Sequence, residues 1–224
     1  MLDHLHLCVI TDPSLAGRDH TAIAAAALAG GADMIQLRDK RGDLRALLPQ
    51  ARAIQALCRA HGAIFIVNDR LDLALATGAD GVHVGQDDLP AGAARRLLGP
   101  DKILGVSTHD REQAEAARAA GADYIGFGPM FPTGTKDTGY TPRGLGSLRE
   151  VRAAVRLPIL AIGGITLETA ADVIAAGATA PAVISAIVTA PDIAAAAAAF
   201  RARVVAAKGL EGSRKEPYKG SHIA

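Results

Sequence analysis

Short apolar runs alternate with Ala- and Leu-rich stretches of helical period along most of the chain. The runs read as strands at Leu5–Thr11, Met34–Arg38, Ile64–Asn68, Gly81–Gly85, Ile103–Ser107, Tyr124–Gly128, Pro158–Ile162 and Ala182–Ser185, each short enough for a sheet buried on both faces. Segments such as Leu44–Ala60 and Arg111–Ala120 supply the helices between them. Such alternation predicts parallel strands joined by crossover helices. A repeated tripeptide refines this. Gly31-Ala32-Asp33, Gly78-Ala79-Asp80, Gly121-Ala122-Asp123 and Gly177-Ala178-Thr179 follow Ala-rich helices and precede the second, fourth, sixth and eighth strands. Their glycines suit helix ends that need positive φ. The fourfold rhythm favours a single (βα)8 TIM barrel over an open doubly wound sheet, which has no reason to show it. One domain over 1–207 is expected, followed by a polar tail over 208–224 with no apolar period and hence expected to be disordered.

Composition narrows the class of partner. With 24 Lys and Arg against 23 Asp and Glu, the net charge is +1, so no global field draws the protein to nucleic acid or an anionic membrane. Aromatic residues make up 3% of the chain, leaving no stacking platform for bases. Any anionic ligand must therefore be held by a local cluster. Cys8 and Cys58 lie in apolar surroundings, and the absence of a secretory signal or long apolar run makes reduced thiols in a cytoplasmic protein the expectation.

In a barrel, the chemistry sits where strands end and βα loops begin. In Gln36-Leu37-Arg38-Asp39-Lys40 the period of two sends Ile35 and Leu37 towards the helices, and Gln36, Arg38 and, if the strand continues, Lys40 towards the mouth. Arg offers a planar fork for phosphate oxygens and Lys a compact charge; the competing reading is a solvated charged loop. The third strand ends at Asn68-Asp69, and the fourth runs into Gln86-Asp87-Asp88. Carboxylates on adjacent strand ends suit Mg²⁺, which takes one or two of them and fills its shell with waters and phosphate oxygens. Alternatively, Asp69 caps a helix starting at Arg70, and Asp87 or Asp88 caps the one after Leu89. Ser107 supplies either a site hydroxyl or a turn. The loop Gly128-Pro129-Met130-Phe131-Pro132-Thr133-Gly134-Thr135-Lys136 combines hydroxyls, a glycine and a cation, and its length favours a mobile cover over an anion to a plain surface loop. Gly163-Gly164 and the segment Val183-Ile184-Ser185 follow the seventh and eighth strands, a frequent phosphate cradle of such barrels. His83 reads as a hydrogen-bonded interior residue, and His4, His6, His20, His61 and His222 have no metal-ligand spacing.

Taken in order, Gln36-Leu37-Arg38-Asp39-Lys40, Val67-Asn68-Asp69, His83-Val84-Gly85-Gln86-Asp87-Asp88, Gly105-Val106-Ser107-Thr108-His109, Gly128-Pro129 with Pro132-Thr133-Gly134-Thr135-Lys136, Gly163-Gly164-Ile165 and Val183-Ile184-Ser185-Ala186-Ile187 resemble the thiamine-phosphate synthase family. The resemblance covers nearly the whole chain before the tail. It implies a transferase that joins a pyrimidine diphosphate to a thiazole phosphate with release of pyrophosphate. It further implies that Gln36, Leu37, Arg38, Asp39, Lys40, Asn68, Ser107 and Lys136 form the pyrimidine-diphosphate site, with Arg38, Lys40 and Lys136 acting on the leaving group. Asp69 and Asp88 would hold one Mg²⁺ per subunit. Thr133, Gly134, Thr135, Gly164, Ile184 and Ser185 would receive the thiazole phosphate, the last three partly through backbone amides. Thr179-Ala180-Pro181 departs from the family's usual Asp-Gly-apolar entry to the last strand, and the resemblance assigns no role to Tyr140 or Arg143. A thiazole tautomerase relative, or a non-catalytic barrel that binds a thiamine precursor, are the competing functions; the joint presence of Arg38, Lys40, Asp69, Asp88 and Lys136 favours the synthase over the first.

Overall fold

The computed structural model describes residues 2–39, 43–134 and 139–209. Eight parallel strands close into one barrel in sequence order: β1 Cys8–Thr11, β2 Met34–Leu37, β3 Ile64–Asn68, β4 Gly81–Val84, β5 Ile103–Thr108, β6 Tyr124–Phe127, β7 Ile159–Ile162 and β8 Ala180–Val183. Closure is made by β1 on β8, with Cys8 opposite Ala182 and Val9 opposite Val183. Crossovers are α2 His20–Ala29, α3 Leu44–His61, α4 Leu71–Thr77, α5 Ala91–Leu98, α6 Arg111–Ala119, α7 Gly144–Ala154, α8 Ala170–Ala175 and α10 Ile193–Ala207, with short turns α1 Pro13–Ala16 and α9 Ser185–Val188. The TIM-barrel expectation is met, and its helix bounds differ from those read in the sequence by about a residue. Residues 210–224, which contain nearly all of the expected tail, lie outside the described residues.

Strand β3 has the bounds read in the sequence, five others differ by one residue at one end, and β1 and β8 differ by more. Strand β1 begins at Cys8 rather than Leu5, because Leu2 and Leu5 leave the sheet and pack with the inward-facing side chains Cys8, Ile10, Met34 and Ile64. Strand β8 runs two residues earlier than expected, so Pro181 stands inside it opposite Ala161, and Ser185 starts α9 instead of ending the strand. The cause of the shift is the residue just before β8. Thr179 donates its backbone N–H to the carbonyl of Ile159 at 2.8 Å and takes the N–H of Ile159 on Oγ1 at 3.0 Å.

That two-point clasp recurs at every copy of the repeated tripeptide. Asp33 does the same with Leu7, Asp80 with Phe65 and Asp123 with Leu104, with backbone donation at 2.8–3.0 Å and carboxylate acceptance at 2.8–3.1 Å. The glycine two residues earlier has φ of 90°, 66°, 85° and 106° at Gly31, Gly78, Gly121 and Gly177, as the helix-end reading requires. Each clasp lies one position before the first paired residues of its strand pair: Cys8–Met34, Ile66–Gly81, Gly105–Tyr124 and Leu160–Ala180. A one-residue slip would exchange the barrel and helix faces of the strand, so the clasps bear directly on which side chains face inward.

Faces follow from register. Val9, Ile35, Leu37, Phe65, Val67, Val82, Val84 and Leu104 pack outward against helices. Ile10, Ile64, Ile66, Ile103, Tyr124 and Leu160 fill the interior, each buried Ile or Leu contributing about 1.5–3 kcal/mol relative to exposure. The thiol of Cys8 is pushed up to about 12 by its burial, with Asp33 adding to the effect, so it packs as an apolar group; Cys58 is also buried and outside any disulfide.

The clasp gives a stability prediction. Thr179→Val preserves shape but strands the buried N–H of Ile159, which should cost about 1–3 kcal/mol. Thr179→Ser keeps the acceptor and should remain near the parent. Urea denaturation of the three proteins checks this, and equal midpoints would show that the hydroxyl does not contribute.

Candidate active site

Because all strands run parallel, every sequence-derived site residue within the described segments lies at or just beyond the C-terminal rim of the barrel, apart from the deeper Gln36 and Leu37. Leu37 points to the helix layer, while Gln36, its inward neighbour, hydrogen-bonds the Tyr124 hydroxyl. Lys40, Thr135 and Lys136 lie outside the described residues.

A polar seam crosses the barrel below the rim. His83 meets the Tyr124 hydroxyl through Nδ1 at 3.0 Å and Ser107 Oγ through Nε2 at 2.9 Å. Burial, foremost, holds the Tyr124 phenol well above its ordinary pKa, so it remains neutral and able to donate. Two glycines make room for this seam. A methyl group on Gly105 would run into the Tyr124 ring and lie 2.5 Å from His83 Nδ1, and one on Gly126 would lie 3.0 Å from His83 Cε1. The sequence reading identified His83 as an interior hydrogen-bonding residue but gave Tyr124 no role. Its signal was available in the period of two, which puts Tyr124 on the inward face beside two glycines.

Asn68 ends β3 opposite His83, and the next residue, Asp69, turns the chain into α4 with φ of 61°. Among the described non-glycine residues only Asp69 has positive φ. Asp tolerates this conformation better than most residues, but it still costs energy, and such strain concentrates at functional positions. Neither helix-cap alternative is realised: α4 is capped by Arg70 and α5 by Pro90, both without a side-chain cap bond. The Asp88 carboxylate instead folds back over the end of β4 and accepts the N–H of Gly85 at 2.8 Å. Arg38 reaches Asp12 Oδ2 through Nη1 at 3.5 Å, and the Asp39 carboxylate lies 3.3 Å from Nε2 of the buried His20.

The other half of the rim opens into a cavity of about 460 Å³ over the ends of β5 to β8. Ser107, Thr133, Gly134, Gly164, Ile184 and Ser185 all line it. Gly163 and Gly164 have φ of 94° and 65°, and a methyl group on Gly164 would meet the Pro132 carbonyl oxygen at 2.5 Å; the pair lets the loop after β7 lie against the loop after β6. His109, also on the cavity wall, stacks on Tyr140 with centroids 3.7 Å apart, and the Arg143 guanidinium sits 5.1 Å from the Tyr140 ring centre. Arg143 N–H donates to the Pro129 carbonyl at 2.7 Å, so the returning end of this loop is pinned to its start. That is a structural role for two residues to which the sequence resemblance gave none.

The family description "Thiamine monophosphate synthase" matches residues 7–187. The chain belongs to the thiamine-phosphate synthase family. It is 54% identical over 203 residues to the thiamine-phosphate synthase of Methanoculleus marisnigri, covering 90% of this chain and 96% of that one. With the thiamine-phosphate synthase of Moorella thermoacetica the identity is 53% over 201 residues, at 90% and 96% coverage. A solved thiamine phosphate pyrophosphorylase from Pyrococcus furiosus superposes with a TM-score of 0.85 at 36% identity, covering 94% of this chain and 99% of that one. Membership makes the protein a transferase of thiamine biosynthesis. Among the described residues no helix is long and apolar enough to cross a membrane.

The positive φ at Asp69 allows a role in activity to be tested apart from folding. Asp69→Gly should leave stability unchanged or raise it by up to about 1 kcal/mol, because glycine adopts positive φ freely. Asp69→Val should lower it, since a β-branched residue is poorly accommodated there. Synthase turnover should fall in both. Melting curves paired with turnover would reveal the opposite signs.

Proposed function

We propose that this protein condenses 4-amino-2-methyl-5-(diphosphooxymethyl)pyrimidine with 4-methyl-5-(2-phosphooxyethyl)thiazole to give thiamine phosphate and pyrophosphate by a dissociative displacement. The observation that carries the reading is the placement of Ser107, which lines the cavity over β5–β8 and is hydrogen-bonded to His83 of the polar seam. A phosphate seated at Gly164, Ile184 and Ser185 and a pyrimidine seated over Gln36, Asn68 and Ser107 would thus face one another across one short rim. In this reading Thr133, Gly134 and Thr135 complete the thiazole-phosphate site.

The donor set suits Mg²⁺. Asp69, the residue after β3, and Asp88, on the loop after the neighbouring β4, are hard oxygen donors, and no group of three or more His, Cys, Asp or Glu that could hold a metal occurs among the described residues. Two carboxylates are what Mg²⁺ commonly takes from protein when phosphate oxygens fill its remaining positions. Bound there, the ion would supply neutralisation of the diphosphate charge. Arg38, Lys40 and Lys136 would stabilise the same charge as the carbon–oxygen bond breaks and its electron pair departs with pyrophosphate. The pyrimidine amino group feeds electrons to the methylene carbon left cationic. The thiazole nitrogen then donates its lone pair to that carbon, and no proton need move. The apolar wall and the loop over the cavity would exclude water that would otherwise capture the cation. Reduced thiols at Cys8 and Cys58 accord with a cytoplasmic site of action.

Pyrophosphate release from the substrate pair with Mg²⁺ tests the reaction; a binding protein would release none. Asp69→Asn and Asp88→Asn should fold as the parent does but require more Mg²⁺ and turn over more slowly. Lys136→Ala should lower kcat by about tenfold to a hundredfold, with a smaller change in KM for the pyrimidine diphosphate, as a charge-assisted bond made chiefly in the transition state would do. Steady-state kinetics at saturating thiazole phosphate reads both, and an unchanged kcat would remove Lys136 from the leaving-group role.

A further inference from the structure

The stretch from the residue after β1 to the first residue of α2 carries none of the residues assigned above, yet its two ends, Asp12 and His20, contact the two residues that follow β2. Asp12 Oδ2 lies 3.5 Å from Arg38 Nη1, with the two side chains only 12% and 14% exposed. Its other oxygen accepts the backbone N–H of Ser14 at 3.1 Å and the Ser14 hydroxyl at 2.5 Å, which caps α1 and fixes the carboxylate plane. His20 is buried, and burial, against the pull of Asp39, lowers its pKa; the ring is therefore neutral at physiological pH. Since the Asp39 carboxylate only accepts, Nε2 carries the proton towards it, and Nδ1 accepts from the Thr11 hydroxyl at 2.6 Å. The backbone N–H of His20 is bonded in turn to Gln50 Oε1 on α3 at 3.2 Å.

We propose that Asp12 is a positioning residue that sets the guanidinium of Arg38 for the diphosphate. The inference rests on the function proposed above. Arg loses much rotamer freedom when it grips an anion, and a fixed partner removes part of that loss beforehand. Contact through Nη1 leaves the Nε and Nη2 donors for phosphate oxygens. The cost is partial cancellation of the Arg38 charge, which the fork geometry offsets only if the guanidinium is aimed correctly. Meanwhile the bond to His20 engages the neighbouring Asp39 carboxylate, a group that would compete with a diphosphate for the same cation.

Asp12→Asn tests this with little disturbance, because an amide oxygen can still cap α1 while the amide nitrogen cannot accept from Arg38. We expect kcat/KM for the pyrimidine diphosphate to fall about tenfold, with KM for thiazole phosphate and the melting temperature nearly unchanged. In an Arg38→Ala background the same substitution should have less than about a twofold effect, since a residue acting through Arg38 has nothing left to position. Calorimetric binding of inorganic pyrophosphate with Mg²⁺ should show the same non-additivity. Asp12→Ser, which also caps a helix but lacks the second oxygen, serves if the asparagine variant folds poorly. An unaltered kcat/KM in Asp12→Asn, or losses that add fully to those of Arg38→Ala, would overturn the positioning role while leaving the synthase reading intact. Failure of the unaltered protein to release pyrophosphate would overturn both.

Discussion

Four clasps at the N-terminal end of the barrel underlie the rest of the structure. At each, one residue before an even-numbered strand exchanges two hydrogen bonds with one residue of the preceding segment, through Asp33, Asp80, Asp123 and Thr179. A strand buried on both faces has no solvent side to report a register error, so polar hooks near its start supply information that an apolar run cannot. The carboxylate hooks carry a cost. Burial raises the pKa of Asp80 although the Phe65 N–H and nearby cations favour its ionised form. Thr179 makes the same bond without a charge to desolvate, which is why the tripeptide tolerates its one departure.

With the register set, the interior holds two kinds of side chain. It combines an apolar filling of Ile, Leu and Met with the linked side chains of Gln36, Tyr124, His83 and Ser107. Such a network is stabilising only when its members are paired. Here glycines at Gly105 and Gly126 provide the volume for the two rings, so the seam depends as much on missing side chains as on those present. Polar burial concentrates within it at His83, and strain and close loop approach lie beyond it at Asp69 and Gly164.

The rim has two differently built halves. Over β2 to β4 it presents Arg38, Asn68, Asp69 and Asp88, held by neighbouring loops; over β5 to β8 it opens into a cavity shaped by backbone and glycine. Charged side chains thus stand on one half and open space on the other, an arrangement that would suit the two anionic substrates of the proposed reaction. Ser107 belongs to both halves.

Much of this was legible in the amino-acid order. Local periodicity determined the strands and helices, the tripeptide determined the twofold unit of the barrel, and alternation along β2 placed Gln36 inward and Leu37 outward. The fold class followed because each signal is local, a property of neighbours a few positions apart. What tertiary structure alone decided were relations between distant residues. The start of β8 is set by Ile159, twenty positions away from Thr179, and the setting of Arg38 by Asp12, twenty-six positions away. Whether Asp69 and Asp88 cap helices or face the rim also lay beyond local reading, since aspartate at a strand–helix junction suits either role. The reason is physical: hydrophobic period is written in one element, but the partner of a polar side chain is chosen by closure of the barrel, which brings together atoms that no local pattern relates.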